Sequence, residues 1–220
     1  MSKEWYSVEL VSKADLKPLL DQFHYLSNIS KGFKSKFNVG LVFNPPNGSK
    51  TLVGACIFTG FPVPELATGC FGLARNDQEG LWELSRLVLH PTHQQIEHNL
   101  ASWFVARSIR LLRREEKVRA ILSYADDDFH SGTVYAATNF VYYGTSASKC
   151  DFWKRLEDGT FQKQSRGRTK GVDGEWRPRS LKHRFLKVFD PSLSCKWNKQ
   201  DWEPSRSNDN EGVSCENAIR

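Results

Sequence analysis

The sequence predicts an α/β fold, a mixed sheet with helices packed against it. Three observations carry this expectation. Apolar runs of strand length, "FNVGLVF" (37–43), "KTLVGACIF" (50–58) and "LWELSRLVLHP" (81–91), punctuate the first half of the chain. Segments of helical period interleave with them, "DLKPLLDQFHYLS" (15–27) and "EHNLASWFVARSIRLLRRE" (97–115). The resulting order is strand, helix, three strands, helix, strand, helix, strand. Such an order places helices against a sheet rather than two sheets against each other.

Each element has a local reason. "WYSVELV" (5–11) alternates as a strand does. In the first helix Leu16, Leu19, Leu20 and Phe23 share a face, with Asp15 as the expected N-cap and Pro18 in the first turn. "NPPNGS" (44–49) supplies turn chemistry between two strands. Pro91 stops the strand that begins at Leu81. The following helix turns Leu100, Trp103, Phe104 and Leu111 inward and carries Arg107, Arg110 and Arg114 on its other side. "VRAILSYA" (118–125) is a strand. "GTVYAATN" (132–139) fits a short helix closed by Asn139 in the left-handed C′ position, and "FVYYGTS" (140–146) returns as a strand. Residues 1–149 are expected to form the core. Residues 150–189 form a basic, strand-rich extension completing the domain, with "DFWKRL" and "HRFLKVF" around the loop "SRGRTKGVDGEW". The polar segment 190–220 is expected to be a flexible tail.

Composition narrows the class. The chain has 220 residues, 39% apolar, with seven tryptophans, enough for a packed core. No stretch of about 18 apolar residues could span a membrane, and the first residues lack the apolar core of a signal peptide. Five scattered cysteines, with no C-x-x-C pair, suit reduced thiols and a cytoplasmic location. The formal charge is +6, with cations concentrated between Lys163 and Lys187, the footprint of a nucleic-acid partner or a solvated basic surface.

Taken together, the strand "LSRLVLHP" leading into a helix, and "VYAATNF" resembling Tyr-x-x-x-Gly-Phe with Asn139 in the glycine place, resemble the GCN5-related N-acetyltransferase fold. More narrowly, "WELSRLVLHP", "NLASWFVARSIRLL", "SYAD", "HSGTVYAATNF", "YYG" and "RSLKHRF", in that order over roughly residues 20–187, resemble the Mom family of phage DNA-modification proteins. The resemblance implies conversion of adenine in DNA to N6-carbamoylmethyladenine, protecting phage DNA from restriction. It implies a GCN5-related N-acetyltransferase-like mixed sheet flanked by helices, with a basic C-terminal β extension. The donor is expected to be acetyl-CoA or a glycine-derived molecule. The acetyltransferase phosphate loop reads Arg/Gln-x-x-Gly-x-Gly/Ala, and "QQIEHNL" (94–100) departs from it with Glu97 and Asn99 in the glycine places.

The resemblance also assigns candidate residues. Tyr135 matches the tyrosine that protonates a departing thiolate. Asp126, ending the strand "ILSYAD", is placed where open α/β sheets bind ligands and is the expected base, or else a cap. Asp127 and Asp128 are expected to be solvated. Arg86 and Ser85 lie on the central strand, where alternation sends them to opposite faces; an arginine there needs an anion, which could be a carboxylate, a phosphate or Glu83. Leu87, Leu89, Asn99 and Ser102 are the expected donor contacts. His24 and Tyr25 line the acceptor side, and with Asp126 they are the candidates for an iron ion associated with the family. His130 could reach the site from the loop. Arg166, Arg168, Lys170, Arg179, Lys182 and Arg184 are the expected phosphate contacts, with Trp153 and Trp176 for stacking. The partner is then DNA with a flipped adenine. Three rivals remain at this level: an N-acyltransferase of a protein or small amine, a modifier of another base, and an inert DNA-binding module.

Overall fold

A computed structural model describes residues 3–24, 33–147, 149–164 and 169–203. Ten strands and five helices follow one another as β1 (Tyr6–Leu10), α1 (Lys13–Phe23), β2 (Phe37–Phe43), β3 (Thr51–Gly60), α2 (Pro64–Phe71), β4 (Leu81–Leu89), α3 (Pro91–Ile96), α4 (Leu100–Glu115), β5 (Ala120–Asp126), α5 (Thr133–Ala136), β6 (Val141–Thr145), β7 (Cys150–Arg155), β8 (Phe161–Gln164), β9 (Gly174–Pro178) and β10 (Lys182–Val188). Seven strands form the main sheet in the order β1-β2-β3-β4-β5-β10-β6, and β8-β7-β9 form a small second sheet. The main sheet is antiparallel except where β4 meets β5.

The helices cover both faces. Leu100, Phe104, Val105, Ile109 and Leu112 of α4 pack with Val39, Leu41, Phe58, Trp82 and Ile121. On the other face Leu16, Leu19 and Leu20 of α1 meet Ala55, Ile57 and Val88. Beside them Ala67, Cys70 and Phe71 of α2 meet Leu81, Leu122 and Leu186. The apolar spacing along α1 and α4 matches these contacts, because a stripe at helical period has only a sheet face to bury itself against.

Several local features differ from expectation. Ser12, not Asp15, caps α1: its hydroxyl accepts the Asp15 N–H, and the Asp15 carboxylate accepts from Ser12 in return. Pro18 therefore falls inside the helix rather than in its first turn. Helices α2 and α3 were not evident; both are short, start at a proline and lack a side-chain cap. The extension divides. β7 to β9 stand apart as the small sheet, while β10 inserts into the main sheet between β5 and β6. Residues 190–203 are packed, not loose: Leu193 is buried with α2, the Lys196 N–H donates to the Cys70 carbonyl, and Trp202 Nε1–H donates to the Ser131 carbonyl. The rest of the expected tail lies outside the described residues. Cys56, Cys70 and Cys195 are free thiols, whereas Cys150 is disulfide-bonded, which departs from the expected set of reduced cysteines. Among the described residues no helix is long and apolar enough to cross a membrane.

Candidate active site between the parted strands

β4 and β5 run parallel and pair only over Leu81–Leu84 against Ala120–Ser123. The Ser123 hydroxyl closes this seam by donating to the Leu84 carbonyl at 2.9 Å. Beyond it β4 continues to Leu89 and β5 to Asp126 without pairing to each other. The register of β4 against β3 shifts at the same point, since Leu84 faces Phe58 but Arg86 faces Ile57. Ser85 is the extra residue of this bulge, and its hydroxyl donates to the Ile57 carbonyl at 3.1 Å. A bulge bends its strand and sharpens the twist, so β4 swings away from β5 and opens a cleft.

Two chambers meet at this bulge. The deeper one, about 230 Å³, is bounded by His24, Ser85 to Leu89, Gln94, Ala101, Tyr124 and His130 to Tyr135. A wider one, about 620 Å³, is bounded by Phe33, Lys34, Lys36, the residues from Thr59 to Pro62, and Glu83. Ser85 and Arg86 belong to both walls, so the bulge brings to one cleft two side chains that strict alternation would separate.

Tyr135 is buried in the wall of the deep chamber, held between the rings of Phe140 and Phe185 at 5.7 and 5.4 Å. Its short helix starts at Gly132, φ +85°, where a Cβ would lie 2.4 Å from the Phe185 ring. The turn that follows the helix closes with Asn139 at φ +61°, the left-handed residue the sequence pointed to. Leu87 and Leu89 line the same chamber, whereas Asn99 and Ser102 stand outside its lining; Ala101 and Gln94 take their place. Asn99 nevertheless adopts φ +57°, the conformation a glycine would supply before α4. Glu97 is half-buried in the preceding turn and its charge raises the Tyr6 phenol, after burial itself. A carboxylate here opposes an anionic ligand at the helix end, so this turn does not fit a diphosphate in the manner of the acetyltransferase loop.

The three aspartates have three separate fates. Asp126 is buried and pairs with Lys182 Nζ at 3.4 Å, outside the lining of either chamber. Asp127, expected to be solvated, accepts from His183 Nε2 at 2.9 Å, and His183 Nδ1 meets the Tyr142 hydroxyl at 2.8 Å. Asp128 is exposed. The start of β10 thus clamps the loop that carries His130, which stands at the chamber rim.

Glu83, named from the sequence only as a possible partner of Arg86, lines the wider chamber. Loss of water raises its carboxyl to about 7, against the opposing pull of Lys182 and Arg86. A glutamate beside Ser85 and Arg86 in the middle of a central strand was the available signal. His24 is buried at the end of α1, where loss of water first, then Arg86 and His130, lower it to about 4. It is neutral at pH 7. Tyr25 lies outside the described residues. Among the described residues no three His, Cys, Asp or Glu side chains converge to hold a metal, so His24 and Asp126 do not by themselves form an iron site.

The expected phosphate contacts also divide. Arg166 and Arg168 lie outside the described residues, and Lys170 is exposed. Arg179 and Lys163 both pair with the buried Asp151, Lys182 pairs with Asp126, and Arg184 stacks on Trp197 at 4.6 Å. On the small sheet Arg177 lies over Trp153 at 5.0 Å and Phe161 at 4.3 Å, with Arg155 over Phe161 at 5.4 Å. Trp176 packs edge-on against Phe152 instead of presenting a free ring.

A mixed sheet whose parallel strands part around a buried tyrosine defines the GCN5-related N-acetyltransferase fold. The chain is similar to Arabidopsis thaliana NAA60, solved in complex with acetyl-CoA, at 12% identity over 83% of this chain and 98% of that one, TM-score 0.50. It is also similar to the ribosomal-protein-S5-alanine acetyltransferase of Vibrio fischeri, at 14% identity over 93% and 98%, TM-score 0.49. Residues 5–198 match the model of the Mom protein family, and the chain belongs to that family. No curated protein matches the sequence.

Proposed function

We propose that this protein is a DNA-modifying transferase that converts adenine to N6-carbamoylmethyladenine and so shields phage DNA from restriction. The observation that carries the reading is the family match over residues 5–198, and the parted strands supply a chemistry for it. Adenine N6 is a weak nucleophile, its lone pair delocalised into the ring, and it is paired within the duplex. The base must therefore leave the stack, at a cost of about a few kcal/mol. It enters the wider chamber, whose Lys34 and Lys36 suit the adjoining phosphates and whose Phe33 and Phe61 offer apolar walls.

There the N6 nitrogen forms its new bond to the methylene carbon of a donor that already carries the carboxamide, and the bond from that carbon to the leaving group breaks. Glu83, partly ionised near pH 7, takes the N6 proton. Tyr135, in the wall of the deep chamber, gives a proton to the departing group. Arg86 stands at the junction of the chambers and stabilises negative charge on the donor. Asp126 serves this site by anchoring the loop through Lys182. The donor lies along Leu87, Leu89 and Ala101. Glu97 favours a donor without a diphosphate at the α4 end, such as a glycine-derived one, over acetyl-CoA.

The test is mass spectrometry of nucleosides from plasmid DNA in cells expressing the protein, beside Tyr135→Phe and Glu83→Gln. A deoxyadenosine species heavier by a carbamoylmethyl group, lost in both variants, is expected. Unchanged nucleosides with soluble protein that still binds DNA would sink the reading.

A further inference from the structure

Outside the lining of the cleft, two thiols meet. Cys70, buried near the end of α2, and Cys195, half-buried in the segment after β10, are 125 positions apart in sequence, yet their sulfurs lie 3.7 Å from each other. Neither belongs to the lining of the chambers described above. The contact is held from both sides. The Lys196 N–H donates to the Cys70 carbonyl at 2.7 Å, and the Lys196 side chain lies over Gly72, where α2 ends. Trp197 packs under Arg184 and edge-on to Tyr143.

The two thiols are also unlike each other. Cys195 is lowered to about 6, chiefly by its hydrogen bond with Cys70, with the Trp197 N–H, the Tyr143 hydroxyl and Arg184 adding to the effect. Cys70 is raised, by that same hydrogen bond and by burial. One sulfur is thus an accessible nucleophile and the other a sheltered resolving thiol, the division of labour that exchange chemistry needs.

We propose that Cys70 and Cys195 form a thiol–disulfide exchange site whose substrate is a low-molecular-weight disulfide. The Cys195 thiolate attacks one sulfur of that disulfide, forming a mixed disulfide and releasing one thiolate. Cys70 then gives its proton to the released thiolate and attacks the Cys195 sulfur, releasing the second, which takes a proton from water. Two protein thiols are oxidised to one disulfide, and one small disulfide is reduced to two thiols. The product staples the segment 190–203 to α2. That segment continues through the Gln200 N–H, bonded to the Tyr142 carbonyl, to Trp202, bonded to the Ser131 carbonyl on the chamber rim. The redox state at α2 thereby sets how firmly the rim loop is strapped.

The experiment uses the full chain, reduced and then exposed to glutathione disulfide, quenched with acid, alkylated and mapped by peptide mass spectrometry. The expected result is a peptide cross-linked through Cys70 and Cys195 that dithiothreitol reopens. Cys70→Ser should stop at a glutathione adduct on Cys195, and Cys195→Ser should leave Cys70 unreacted. The wild-type map decides the matter even if a variant folds poorly. Recovery of both cysteines as alkylated thiols with no cross-link, or an adduct that forms first on Cys70, would overturn the proposal.

Discussion

Glu83 and His24 lose the same water and respond in opposite senses. Glu83 rises from 4.5 to about 7, so the folded chain binds that proton more tightly than the unfolded one. Its contribution to stability is complete below about pH 4.5 and is lost as pH rises through about 7. His24 falls from 6.5 to about 4, so its contribution is complete above pH 6.5 and is lost as pH falls through about 4. For activity the expected outcome is a rate that climbs through about pH 7 as Glu83 ionises. Glu83→Gln should abolish that limb and lower turnover by roughly 10²–10⁴-fold, the usual worth of a general base; a pH–rate profile of both proteins measures it. For stability, thermal melts from pH 7 down to pH 4 should show a smaller acid-side loss in His24→Leu than in the wild type. Glu97 gives a third residue-scale outcome. Glu97→Gln removes the anion before α4 and should tighten binding of coenzyme A, read by calorimetry. No change in affinity would mean that Glu97 does not shape the donor site.

At the scale of elements, the loop between β5 and α5 is tied down by β10. Lys182 takes Asp126 and His183 takes Asp127, and His183 also ties in Tyr142 from β6. His183→Ala strands two half-buried polar groups and should cost about 1–3 kcal/mol by denaturant melting. Gly132→Ala should cost at least as much, since a side chain at φ +85° is strained and its Cβ would strike Phe185. These ties also mark what the sequence could and could not show. The stripe of α4 and the left-handed Asn139 were legible because each is set by neighbours within a few residues, whereas the bulge that breaks the expected alternation in β4 was not. The pairing of Asp127 with His183 was not, because it joins positions 56 apart that only the insertion of β10 brings together. The chemistry of Glu83 was hidden for a related reason. It comes from the cleft that a bulge at Ser85 opens, and bulges leave little trace in a strand's sequence. The segment after Asp190 looked loose because its anchors, Leu193, Trp197 and Trp202, are too few and too far apart to form a periodic pattern.

For the whole molecule, the net charge of +6 is unevenly available. Lys163, Arg179 and Lys182 are committed to buried carboxylates, so their charge serves the fold. Arg155 and Lys170 are better placed to meet phosphate, Arg155 stacked on Phe161 of the small sheet, whereas Arg177 is paired with Glu175. If this sheet holds the DNA backbone, Arg155→Ala and Lys170→Ala should each weaken binding across all sequences and reduce the slope of log Kd against log salt by about one. Slopes equal to wild type would move the DNA to another face. The groove beside α4, with Lys3, Arg107, Arg110 and Arg114, is where to look next.

The small sheet leaves and rejoins the main one through a single doorway. The Ser146 N–H reaches the Lys182 carbonyl and the Arg179 N–H reaches the Lys149 carbonyl, both at 2.8 Å, so the outgoing and returning strands touch. Whatever lies between them can be lengthened, shortened or exchanged while β10 still finds its slot between β5 and β6. Natural selection can therefore refit the small sheet without disturbing the cleft, and a chimera joined at this doorway would keep one parent's cleft and carry the other's small sheet.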